Sequence, residues 1–222
     1  AKKFISIYGE NGSGKSNFVT CIDLLRKSIE SFYMIGETGR IAEFAKEKDI
    51  PQELVEMLVK SSNIQKYIES CRMIECDEAT EVEYGFRTNG HEGYYIMSFK
   101  ERFLYEKLYC FTGKQRGVLY EIDYTNENPK IDFSNKLFKS KKIELELRDE
   151  ISKYWGKHTL LSILNKEREE KNEGYIKESY LDYVFDIIDM LKDTTIHCKK
   201  SSSSGSEVNS YKPANVLRDL RE

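Results

Sequence analysis

The residues Gly9-Glu10-Asn11-Gly12-Ser13-Gly14-Lys15-Ser16, followed by Asn17, have the types and spacing to hold a phosphate group. The pattern is Gly-x-x-x-x-Gly-Lys-Ser, and each position has a physical task. Gly9 permits a sharp exit from a preceding strand. Gly12 and Gly14 can adopt positive φ, which turns backbone N–H groups inward. Those N–H groups form a concave nest for anionic oxygens. A helix beginning at Lys15 would add its N-terminal dipole and unpaired amides. Lys15 is spaced to reach the β- and γ-phosphates of a nucleotide such as ATP. The Ser16 hydroxyl is spaced to ligate the Mg2+ that bridges them. With glycine at ~7% of residues, about one chain in a hundred of this length would match the pattern by accident.

The elements around the pattern suit it. Phe4-Ile5-Ser6-Ile7-Tyr8 is a short run of β-branched and aromatic residues ending at Gly9, and it reads as a buried strand. From Ser16 the period becomes helical, with Phe18, Ile22, Leu25 and Ile29 on one face and Val19 beside them. Residues 36 to 70 read as irregular structure with one or two helices. Pro51 stands at a helical first turn ahead of Leu54, Val55, Leu58 and Val59.

The period then changes to two. Residues 81 to 99 read as a hairpin turning at Asn89-Gly90, with Val82, Tyr84 and Phe86 alternating with charged neighbours. Leu104 to Phe111 and Val118 to Tyr124 read as two further strands, so the middle of the chain is expected to be an antiparallel meander. Beyond Asn135 the pattern is helical and charged, with helices expected over Lys142–Tyr154, Leu160–Lys171 and Tyr175–Lys192. In the last of these Tyr180, Val184, Ile187, Ile188 and Leu191 recur at three and four, the stripe of an exposed helical insertion that a partner could also use. Ser201 to Ser206 reads as a flexible loop.

Composition excludes some classes. No stretch approaches the ~18 apolar residues of a membrane-spanning helix, and no secretory leader pattern is visible. A net charge of -3 denies the chain a global basic field for nucleic acid. The five cysteines, Cys21, Cys71, Cys76, Cys110 and Cys198, follow no zinc spacing. They read as free, half-buried thiols of a reducing cytoplasm. His91, His158 and His197 are scattered and suggest no site, and Trp155 reads as packing.

Hydrolysis would also need a carboxylate on a buried strand to hold magnesium. Met73-Ile74-Glu75-Cys76-Asp77-Glu78 comes nearest, but only two apolar residues precede the acids and Glu75 interrupts. Asp186 and Asp189 follow apolar pairs at helical spacing, which places them on a solvated face. Ser203-Ser204-Gly205-Ser206 is a poor match to a transporter-type signature loop. The meander speaks against a nucleotide kinase. Asn135-Lys136-Leu137-Phe138 lacks the aspartate of a guanine-reading motif.

The run Ile7 to Phe18, followed by Ile22-Asp23-Leu24-Leu25, resembles the Walker A region of ABC-like P-loop ATPases. More narrowly it is similar to the SMC, RecF and OLD group, and within that group to the AAA/ABC-like ATPases of bacterial anti-phage and abortive-infection systems. Glu106-Lys107-Leu108-Tyr109 looks like a strand of the same family. The resemblance is specific over residues 4 to 25, looser over 81 to 124, and architectural beyond.

It implies an α/β fold, a P-loop NTPase half-head with an antiparallel β meander and a helical insertion. Residues 1–134 would form the nucleotide-binding lobe, and 135–222 the helical insertion and flexible loop. The family places its signature loop and Walker B carboxylates in a C-terminal half, so the chain is expected to be the N-terminal part of a longer ATPase. The resemblance further implies ATP and Mg2+ as ligands, with Lys15 as the catalytic cation. It implies a homodimer or higher oligomer formed through the heads, an effector nuclease or toxin as partner, and DNA as a further ligand of the assembly. A different class of function also fits the residues: a nucleotide-sensing scaffold that uses ATP for assembly without hydrolysing it.

Overall fold

Strand propensity is strongest between residues 80 and 133, and the structure, a computed structural model, builds a five-stranded sheet there. It describes residues 14–34, 44–45, 50–61, 63–72, 76–88, 90–112, 115–193, 196–199 and 208–211. The five strands are β1 (Thr80–Thr88), β2 (His91–Phe99), β3 (Phe103–Thr112), β4 (Gln115–Asp123) and β5 (Lys130–Phe133). They lie in the order β1-β2-β3-β4-β5, each antiparallel to the next. Thr88 pairs with His91, so the first turn is two residues long, and Gly90 adopts φ 80° there. That is the left-handed conformation the Asn-Gly pair predicts. The strand β5 was not among the sequence expectations. Its four residues alternate without an apolar run, and they pair because β4 offers an open edge.

One face of the sheet is apolar. Phe86, Tyr95, Met97, Phe99, Leu108, Tyr120 and Ile122 are buried on it. At Gly93 the strands approach too closely for any side chain. A Cβ built there would lie 2.0 Å from the Tyr109 carbonyl oxygen and 3.0 Å from the Cys110 Cα.

Helices whose full span is described are α1 (Lys15–Ile29), α2 (Gln52–Ser61), α3 (Ile64–Ser70), α4 (Lys141–Tyr154), α5 (Leu160–Glu170), α6 (Glu173–Ser179) and α7 (Asp182–Lys192). Side-chain caps start four of them. Asn63, Ser140, Thr159 and Asn172 accept from the amides of Lys66, Ile143, Ser162 and Tyr175. Pro51 directly precedes α2, and its carbonyl accepts from the Leu54 and Val55 amides. A second, two-stranded sheet pairs β6 (Ile196–Lys199) with β7 (Val208–Tyr211). The segment Ser201–Ser206 and the expected strand Phe4–Tyr8 lie outside the described residues.

Two helical expectations are corrected. The single helix over Tyr175–Lys192 is two helices, α6 and α7. Tyr180 sits between them in extended conformation, bridged to Phe138, and its hydroxyl donates to the buried Glu167 carboxylate. Helical spacing alone does not reveal that tertiary contact. The stripe Val184, Ile187, Ile188 and Leu191 is buried, and α7 packs on α1 and β1. On α1 the buried positions are Leu24, Leu25, Ser28 and Ile29, whereas Phe18 is 51% exposed. One apolar cluster runs from Leu24 through the sheet to Leu191, crossing residue 134 without a break. Among the described residues no helix is long and apolar enough to cross a membrane.

A buried polar junction fastens the end of α1 to the start of α5. The Ser31 hydroxyl lies 2.8 Å from His158 Nδ1 and 2.9 Å from Ser162 Oγ, and Thr159 Oγ1 donates to the Ser28 carbonyl at 3.1 Å. Phe32 stacks on the His158 ring at 3.8 Å. Burial, then the cations Lys157 and Lys166, lowers the imidazole pKa from 6.5 to about 4. The folded state thus holds His158 neutral in a range where the unfolded chain binds a proton. Stability is fully present above pH 6.5 and is lost as pH falls toward 4, by up to about 3 kcal/mol. Urea titrations at pH 7.0 and 4.5 should show this loss in the wild type and a smaller one in His158→Asn. Equal pH dependence of the two proteins would refute the assignment.

Candidate functional site

The phosphate pattern ends where α1 begins. Gly14 caps the helix with φ 83° and ψ 4°, the left-handed conformation, and its carbonyl accepts from the Phe18 amide at 3.1 Å. Among the described residues nothing stands within 4 Å of where a Gly14 Cβ would lie, and the positive φ by itself favours glycine there. Among the described residues no side chain caps the 15-residue helix, and its first turn carries no acidic residue. Ser16 and Asn17 are exposed in that first turn. The Ser16 carbonyl accepts from Thr20 Oγ1 at 2.9 Å. Gly9, Glu10, Asn11, Gly12 and Ser13 lie outside the described residues. Lys15 is described as the first helical residue.

Side chains from three other elements hold α1 in place. The Tyr84 hydroxyl of β1 donates to the Cys21 carbonyl at 2.6 Å. The Tyr67 hydroxyl of α3 donates to Asp23 Oδ2 at 2.7 Å, and Lys27 Nζ stands 3.7 Å above the Tyr67 ring. Burial, and then the Asp23 carboxylate, raises the Tyr67 phenol well above its ordinary range, so it remains a donor. The junction at Ser31 holds the far end. The helix that begins at the phosphate pattern is therefore tied to the sheet, to α3 and to α5.

The acids weighed for a magnesium role are placed as follows. Asp77 and Glu78 are exposed on the stretch before β1. Asp189 lies in α7 and is held by the two terminal guanidinium nitrogens of Arg168, at 2.7 and 2.9 Å. Asp186 lies in α7 as well. Among the described residues no three His, Cys, Asp or Glu side chains gather as a metal cluster. Ser16, the residue assigned to the metal, falls within the described part.

The chain matches no family model, no curated protein and no solved structure.

One constellation was missed in the sequence. Glu106, on β3, is fully buried beneath the start of α5. Its Oε1 accepts from the Tyr95 and Tyr120 hydroxyls at 3.0 and 2.9 Å, and from the Leu161 amide at 3.4 Å. Its Oε2 accepts from the Leu160 amide at 2.6 Å and from Trp155 Nε1 at 2.8 Å. Burial raises the proton affinity of this carboxyl, and the Leu160 amide, the Trp155 indole and the two phenols pull it back down. Trp155 is thus a donor as well as packing. The parity of β3 held the clue, because Glu106 shares the inner face with Leu108 and Cys110. This carboxylate ties sheet to helix, and through Thr159 and Ser162 it bears on the junction that fixes α1.

Proposed function

We propose that this chain binds Mg·ATP through Gly9–Ser16, with Lys15 on the β- and γ-phosphates and Ser16 on the metal. In this reading it is the nucleotide-binding part of an ABC-like ATPase head of the SMC, RecF and OLD kind. Two or more heads assemble around ATP in the cytoplasm and gate a DNA-directed or anti-phage effector. One observation carries the proposal: the complete Gly-x-x-x-x-Gly-Lys-Ser pattern, whose last glycine is left-handed and opens directly into a 15-residue helix. Support also comes from the antiparallel sheet that follows α1. In the full assembly hydrolysis would transfer the γ-phosphoryl group to water, with Lys15 and magnesium neutralising the charge that develops.

A charged contact of the Lys15 kind is worth ~1.5–3 kcal/mol. Lys15→Ala should therefore weaken Mg·ATP binding roughly ten- to hundredfold. Calorimetry on both proteins checks this. Equal affinities would remove Lys15 from the site, and no binding by the wild type would overturn the proposal for this chain.

The second reading, a nucleotide-sensing scaffold that does not turn ATP over, is supported by the want, among the described residues, of a buried Walker B strand, since Asp77 and Glu78 of the nearest match are exposed before β1. Phosphate release by the protein with its partners separates the two. Turnover that disappears in Lys15→Ala supports the ATPase, and tight binding without turnover supports the scaffold.

A further inference from the structure

The strand β1 lies at one edge of the five-stranded sheet and is nine residues long. Its register with β2 runs from Thr80↔Phe99 to Thr88↔His91 without a bulge. It contains no proline and no lysine, so it lacks the usual devices that keep an exposed edge from pairing. The two-residue turn closes on Thr88 and His91, and that pair exchanges hydrogen bonds across the hairpin. Every second residue back from Thr88 likewise aims its N–H and C=O at β2. Glu81, Glu83, Gly85 and Arg87 therefore aim theirs the other way, and all four are exposed. Among the described residues no strand pairs with that edge. The helices α1 and α7 meet β1 on the apolar face of the sheet. Tyr84 reaches α1 there, and Tyr183 of α7 stacks on His91, which shares that face with Tyr95.

We propose that this edge pairs with the same edge of a second copy of the chain, antiparallel about a two-fold axis through Tyr84. In that register β1 is complementary to itself. Thr80 faces Thr88, Glu81 faces Arg87, Val82 faces Phe86 and Glu83 faces Gly85. Opposite charges meet at both ends, apolar residues meet apolar residues, and no like charges face each other. Parity is respected as well. Each outward-aimed residue stands opposite another, which is what a ladder of hydrogen bonds requires. The neighbouring axes do less well. One at Glu83 sets two glutamates face to face. One at Gly85 pushes Thr80 and Glu81 against the Asn89-Gly90 turn. The Tyr84 axis keeps all nine residues of the strand in the ladder.

The inference goes beyond the nucleotide reading and does not depend on it, because this pairing needs no ATP. The test is sedimentation equilibrium of the full chain without nucleotide, at up to about 100 µM, where a small interface still associates. A dimer is expected. Glu81→Arg and Arg87→Glu should each weaken it roughly tenfold, because each sets like charges opposite one another at both ends of the ladder. An equimolar mixture of the two variants should dimerise like the wild type, because both contacts then join opposite charges. That recovery also shows that both variants fold. Glu83→Pro removes an outward N–H and leaves the pairing with β2 in place, so it should give a monomer that melts close to the wild type. A wild type that is monomeric at every concentration, a dimer that forms only with ATP, an undiminished dimer in Glu83→Pro, or a mixture that stays monomeric would each overturn the proposal.

Discussion

Glu106→Ala is expected to destabilise the protein by about 3–5 kcal/mol, a large part of the 5–15 kcal/mol that holds a typical domain together. The substitution removes both acceptor oxygens and leaves the Leu160 amide, the Trp155 indole and two phenols facing a dry cavity. Each orphaned donor costs about 1–3 kcal/mol, softened where a phenol can rotate or a water can enter. Glu106→Gln should be much milder, at about 1–2 kcal/mol. Leu160 and Trp155 are donors only and must keep the amide oxygen. The Gln NH2 then faces Tyr95 and Tyr120, whose hydroxyls can turn and accept. Tyr95→Phe in the Gln background should add little, because one acceptor for the NH2 remains. Chemical denaturation of the four proteins reads this out. An alanine variant as stable as the glutamine variant would mean that water fills the site and that the carboxylate does not organise it.

Gly93→Ala should be nearly as damaging, at about 3–5 kcal/mol, although it adds one methyl group. The new Cβ would press on backbone atoms of β3, the Tyr109 carbonyl oxygen at 2.0 Å and the Cys110 Cα at 3.0 Å, and on Phe86 Cζ at 2.9 Å. Phe86 can swing away, but the backbone of β3 is fixed by pairing on both edges. Relief therefore requires parting β2 from β3 at the centre of the sheet. Gly85→Ala is the control on the neighbouring strand. Its Cβ would touch only the Tyr94 ring, at 3.6 Å, and it should be neutral or slightly stabilising. Thermal melts that rank the two variants in the opposite order would refute the close-approach account of Gly93.

Local features of the chain were legible where their cause is local. The Asn89-Gly90 turn, the positive φ of Gly14 and the start of α2 after Pro51 each follow from one or two residues. The helices Lys141–Tyr154 and Leu160–Glu170 fall within one residue of the bounds expected from their helical pattern. The break at Tyr180 was not legible, because its cause is a partner elsewhere in the chain, the Glu167 carboxylate. The exposure of Phe18 escaped notice for a related reason. Helical spacing marks an apolar face, but only the neighbours show how far along the helix that face is covered.

The sequence by itself determined the phosphate pattern, the alternation of the meander and the caps of the later helices. These depend on backbone geometry and on residues within four positions of one another. The tertiary structure decided where Glu106 goes, which helices grip α1, and that Val184, Ile187, Ile188 and Leu191 lie inside. Those outcomes depend on contacts between residues far apart in the chain. A carboxylate on a strand and a stripe on a helix look alike in sequence whether they face water or a partner. Only the assembled core settles which, because burying a charge is tolerable only where donors from other elements converge on it.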